Sequence, residues 1–135
     1  MKSRLVLLGS LVFIAIAGCK NTIGGSNWVG TYTSTTTIDS INQVVVTQYG
    51  TNIIDLQLQA HYGDSLFTFA TLERVPVQTP TTITINNERT VGGYKGQFQF
   101  TGTGMLTGDS LILSGTATSV DSGGPVIPFQ FTGTK

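Results

Sequence analysis

Gln97-Phe-Gln-Phe-Thr-Gly-Thr-Gly-Met-Leu106 alternates strictly at its start. Phe98, Phe100 and Leu106 fall on one face, and Gln97, Gln99, Thr101 and Thr103 on the other. A period of two is the mark of a strand with one face buried. The pattern recurs outward along the chain in both directions. Asn52 to Ala60 puts Ile54, Leu56, Leu58 and Ala60 opposite Asp55, Gln57 and Gln59. Pro128 to Thr134 puts Phe129 and Phe131 opposite Gln130, Thr132 and Thr134. One apolar face and one wet face predict an antiparallel sheet laid over a core.

Turn signals separate such stretches at Asp39-Ser40, Tyr49-Gly50-Thr51, Gly63-Asp64-Ser65, Asn86-Asn87, Thr107-Gly108-Asp109 and Asp121-Ser-Gly-Gly-Pro125. They predict about eight strands, near 27–37, 42–49, 52–60, 65–73, 82–86, 95–106, 109–119 and 126–134. Pro76 and Pro80 mark Arg74 to Thr81 as a longer loop. Composition agrees with an all-β chain. There are 22 Thr and 17 Gly against five Ala in 135 residues, so strand and turn formers dominate and the best helix former is scarce. Short sequential connections predict an antiparallel up-and-down meander. Eight strands suffice to close a barrel, so a barrel is favoured over a two-sheet sandwich, which stays open as the alternative.

The first residues read differently. Lys2 and Arg4 precede an uncharged run from Leu5 to Ala17, the n-region and h-region of a signal peptide. The run is shorter than the roughly 20 apolar residues of a membrane span. It ends in Ile16-Ala17-Gly18-Cys19. This resembles the lipobox of bacterial lipoproteins: an aliphatic residue, two small residues, then the cysteine that receives lipid. The resemblance implies cleavage between Gly18 and Cys19, and a diacylglyceryl thioether on Cys19. An ordinary cleaved signal with an incidental cysteine is the other reading. Lys20 follows the cysteine where Asp would imply retention in the inner membrane, so the resemblance implies the outer membrane of a bacterial envelope. Which face the protein occupies stays open.

The division expected is therefore a signal peptide over 1–18, a lipidated cysteine and Gly-rich tether over 19–26, and a β domain over 27–135. Removing residues 1–18 leaves 117 residues carrying five basic and seven acidic side chains, a balance of −2. Such a body has no electrostatic footprint for nucleic acid and no affinity of its own for anionic lipid. The single cysteine excludes a disulfide within the chain and a cysteine-cluster metal site.

Few residues suggest chemistry. Gly63-Asp-Ser-Leu66 and Gly108-Asp-Ser-Leu111 resemble the name-giving motif of a large esterase family, which would make Ser65 or Ser110 a nucleophile. That family's fold is α/β and longer, and its base is a histidine near the C-terminus. The only histidine here, His61, stands four residues before Ser65. Both copies read better as turns entering strands. His61 alone cannot build a zinc site. Glu73 and Glu88 stand beside Arg74 and Arg89 and read as surface charge rather than a glycosidase pair. Asp121-Ser-Gly-Gly lacks the carboxylates of a calcium loop. The repeat of Phe98-Gln-Phe-Thr-Gly-Thr103 at Phe129-Gln-Phe-Thr-Gly-Thr134 shares no period with the other repeat, so a solenoid is excluded. The expectation is a chain that is not an enzyme and holds no cofactor or metal.

Trp28-Val-Gly-Thr-Tyr32 resembles the opening strand of lipocalin-like (calycin) barrels, in which a Trp plugs one end, although Gly30 follows the Trp here instead of preceding it. The mature chain is also similar to small all-β envelope lipoproteins of unassigned activity. The resemblance implies a barrel able to hold a small apolar or amphipathic ligand. Candidate lining residues are Trp28, Tyr32, Phe67 and Phe69 from the first half, and Phe98, Phe100, Phe129 and Phe131 from the second. The competing expectation is that these aromatics simply fill the core, and that the protein contacts another envelope component through a patch near Tyr49, Tyr62 or Tyr94.

Overall fold

Alternating apolar residues need a second layer to bury against, and a closed sheet supplies it from its own far wall. The computed structural model describes residues 24–37, 40–91, 97–120 and 126–135. It shows a closed barrel in which β1 (Gly30–Ser34), β2 (Gln43–Gly50), β3 (Ile53–Tyr62), β4 (Ser65–Thr79), β5 (Thr82–Val91), β6 (Gln97–Thr107), β7 (Ser110–Ser119) and β8 (Val126–Thr134) follow one another around the wall. Every neighbouring pair is antiparallel, and β8 closes on β1 through Thr33↔Thr134 and Ser34↔Gly133. The protein is thus an all-β, up-and-down barrel, compatible with a lipocalin-like fold. The expected signal peptide, the lipobox, Tyr94 and the 121–125 turn lie outside the described residues.

The faces predicted from period two are the faces observed. Ile54, Leu56 and Leu58 point into the barrel with Val44, Val46, Leu111, Leu113 and Phe131, all essentially without solvent exposure. Two of the hairpins carry the repeated Gly-Asp-Ser-Leu. Tyr62 pairs with Ser65 and Thr107 with Ser110, so each loop is the two residues Gly-Asp. Gly63 and Gly108 have φ of 61° and 59°, and neither aspartate has a positive φ. Positive φ at the first central residue alone is the signature of a type II′ turn, whose twist matches that of the strands it joins. The motif is hairpin chemistry, used once at each end of the barrel.

Two expectations are corrected. Asn86-Asn87 is not a turn: β5 runs through it to Val91, with a bulge between Asn86 and Glu88 that takes up the extra residue. Arg74 to Thr81 is not a loop: β4 continues to Thr79. Arg74 adopts φ 55°, and its backbone N–H donates to Asp55 Oδ1 at 2.8 Å. This kink inserts two exposed residues, Glu73 and Arg74, between buried Leu72 and buried Val75, after which Val77 resumes the inward face. Pro76 is tolerated because the ladder to β5 is sparse, with Val77↔Ile83 and Thr79↔Thr82 as its two pairs.

The two ends of the barrel differ. At one, which we call the closed end, the chain enters through a 3-10 turn over Gly25–Trp28. Gly24 and Gly25, at the end of the stretch read as tether, are buried there, and Gly25 N–H donates to the Thr51 carbonyl at 2.9 Å. Trp28 is fully buried, and its carbonyl accepts the Tyr32 hydroxyl at 2.8 Å. Lys135 ties the last strand over the same end. Its Nζ donates to the Asn27 and Val29 carbonyls at 3.3 Å each and lies 5.4 Å from the Tyr32 ring centroid.

A candidate ligand cavity

The opposite end, where β1 leads to β2, β3 to β4 and β7 to β8, is hollow. A cavity of about 270 Å³ opens there. Its floor is Phe100 and Phe129, whose rings meet edge to face at 5.5 Å and 62°, an arrangement favoured by aromatic quadrupoles. Phe69 and Phe98, both half-buried, form walls. Ala70, Ala117 and the buried Ile41 complete the inner surface, and Ser40, Ile127 and Pro128 the rim.

Local register explains why these side chains converge. Leu58 pairs with Ala70 and Gln59 with Thr68, so Phe69 is an extra residue in β4, a bulge that turns its ring toward the cavity beside Ala70. Phe100 pairs with Ala117, and Ala117 with Ile127. An alanine at the middle of three adjacent strands leaves the space that a larger residue would fill.

The eight aromatics proposed from sequence therefore divide. Phe69, Phe98, Phe100 and Phe129 line the cavity. Trp28, Tyr32 and Phe131 do not; they are fully buried core, the first two at the closed end. Phe67 pairs with Ala60 nearer the hairpin, is half-buried, and is not a lining residue. Sequence reading missed Ala70, Ala117 and Ile41, and Ser40, Ile127 and Pro128 at the rim. The first two carry a signal in hindsight, as two of only five alanines in the chain, both at inward positions. Ile41 sits in a connection and carries none.

The lining is chemically bland. Among the described residues Ser40 supplies its one side-chain hydroxyl, at the rim, and no charged side chain lines it. His61 is exposed and pairs across the hairpin with Leu66, whereas Ser65 pairs with Tyr62. Alternation therefore sets His61 and Ser65 on opposite faces. Ser110 starts β7 at the closed end. Among the described residues no three of His, Cys, Asp and Glu stand close enough to hold a metal ion. A second, more open depression at the closed end, between Ser26, Asn27, Thr81, Asp109 and Lys135, is polar and is crossed by the Lys135 contacts described above.

This fold and cavity define a class, the small antiparallel barrel that is plugged at one end and, among the described residues, hollow at the other. Beyond that class, comparison with protein-family models, curated proteins and solved structures finds no match to this chain.

Proposed function

We propose that this protein is a lipid-anchored barrel of the bacterial envelope that binds a small apolar or amphipathic ligand and does no chemistry on it. The observation that carries the reading is the apolar cavity between Phe69, Phe98, Phe100 and Phe129. Apolar concavities with few polar groups are the usual form of small-molecule sites. The described lining carries no charged side chain, which favours binding over catalysis, since acid–base and nucleophilic steps need titratable groups within hydrogen-bond reach.

Anchoring rests on the resemblance of Ile16-Ala17-Gly18-Cys19 to a lipobox. Two acyl chains on Cys19 hold a protein far more firmly than one. Gly24 is buried at the closed end, and the five residues from Cys19 span at most about 18 Å. On this reading the plugged end sits over the anchoring bilayer and the cavity opens away from it. Cys19→Ala is expected to shift the protein from the membrane fraction to the soluble fraction, or to leave it as unprocessed precursor. Unchanged mature size and unchanged fractionation would refute the anchor.

Binding is tested on the lipidated protein in nanodiscs with 1-naphthol, a ten-carbon probe whose neutral-form emission rises in apolar surroundings. Its fluorescence is expected to rise saturably above that of empty nanodiscs, and Ala117→Phe, which fills the cavity, is expected to remove most of the rise. Equal fluorescence with wild type and the variant would refute the site. A second reading, contact with another envelope component, is favoured by exposed Tyr62, Leu66, Val120, Val126 and Ile127 around the open end.

A further inference from the structure

The cavity's proportions say what kind of ligand it takes. We propose that it selects compact ring compounds, of one or two fused rings and about ten carbon atoms, over straight-chain amphiphiles. This rests on the reading of the cavity as a ligand site. The volume sets the size: a dry cavity of about 150 Å³ holds one benzene, so about 270 Å³ has room for roughly ten carbons. The depth sets the shape. On β6 the lining runs from Phe98 to Phe100 and on β8 from Ile127 to Phe129, two residue steps in each case, or about 7 Å along a strand. A space of that volume and depth is as wide as it is deep, and wider than a single extended hydrocarbon chain.

Beneath the floor the barrel is solid. Leu58, Leu113 and Phe131 are fully buried, so a chain cannot thread deeper toward Trp28. A ten-carbon chain would have to fold on itself to enter, with loss of conformational freedom that a rigid ring does not suffer. Four phenylalanines offer ring faces and edges to an aromatic or alicyclic guest. Among the described residues Ser40, at the rim, is the one polar side chain of the lining, and a ligand polar group buried without a partner is strongly disfavoured, an unpaired charge more so. The class is therefore a neutral ring compound bearing at most one hydroxyl.

Two ten-carbon probes separate the shapes. 2-Naphthol and 1-decanol are titrated into the full-length protein in nanodiscs with ¹³C-labelled alanine methyl groups. The expected result is saturable movement of the Ala70 and Ala117 signals, with 2-naphthol binding at least tenfold more tightly than 1-decanol. Ala117→Phe is expected to abolish the response, and Ala70→Leu serves the same purpose if that variant does not fold. Decanol binding as tightly as naphthol, or more so, overturns the ring preference while the ligand site itself stands. If neither probe moves either methyl signal, the ring preference and the ligand site fall together.

Discussion

Gly115→Ala is expected to lower barrel stability by about 3–5 kcal/mol, beyond the usual range for a single methyl added to a core. Gly115 stands directly opposite Gly102 on the neighbouring strand. A Cβ on Gly115 would overlap the Thr101 carbonyl oxygen and lie 2.7 Å from the Gly102 Cα and 2.9 Å from Phe129 Cε1. On Gly102 it would overlap the Ser114 carbonyl oxygen and lie 2.8 Å from the Gly115 Cα. The obstacle in both cases is backbone held in a hydrogen-bonded ladder, which cannot rotate away as a side chain can. The glycine pair lets the two strands approach closely. Thermal unfolding followed by circular dichroism should show a midpoint at least about 12 °C lower. Ser114→Ala, one residue away on the outer face, should change it by no more than a degree or two. A Gly115→Ala protein that melts with the wild type would show that β6 and β7 are not in this close approach.

Trp28→Ala is expected to cost about 3–5 kcal/mol, the usual range for emptying a buried aromatic site. The indole is fully buried, and the turn that carries it is the plug of the closed end. The Tyr32 hydroxyl bond is not part of this loss, because it is made to the main-chain carbonyl of residue 28, which alanine also carries. Trp28→Phe should be far milder. The indole N–H has no acceptor among the described residues, so its removal also relieves an unmet desolvation cost. Denaturant titrations of the two variants separate the effects. Equal losses for Ala and Phe would show that the N–H, not the ring's bulk, holds the plug.

The fold was largely legible because a sheet advertises itself locally. Ile54, Leu56 and Leu58 face inward because side chains alternate along any strand, whatever lies across from them. The two Gly-Asp hairpins were legible for the same reason: a two-residue turn depends on its own φ values. The extension of β4 past Glu73 was not. It depends on a hydrogen bond from Arg74 to Asp55, nineteen residues earlier, which no local pattern announces. Pro76 then argued for a loop, and only the sparse pairing with β5 makes it acceptable in a strand.

The candidate site divides along the same line. Period, turn residues and composition established the strand class, the number of strands, and which side chains point inward. They could not establish depth. Phe129 and Phe131 are both inward and two residues apart, yet one floors the cavity and the other is sealed in the core. Alternation names the face of a strand. Height within a barrel is set by the stagger between strands, which exists only once all eight close, and it is closure that gathers Ala70, Ala117 and four phenylalanines around one empty space.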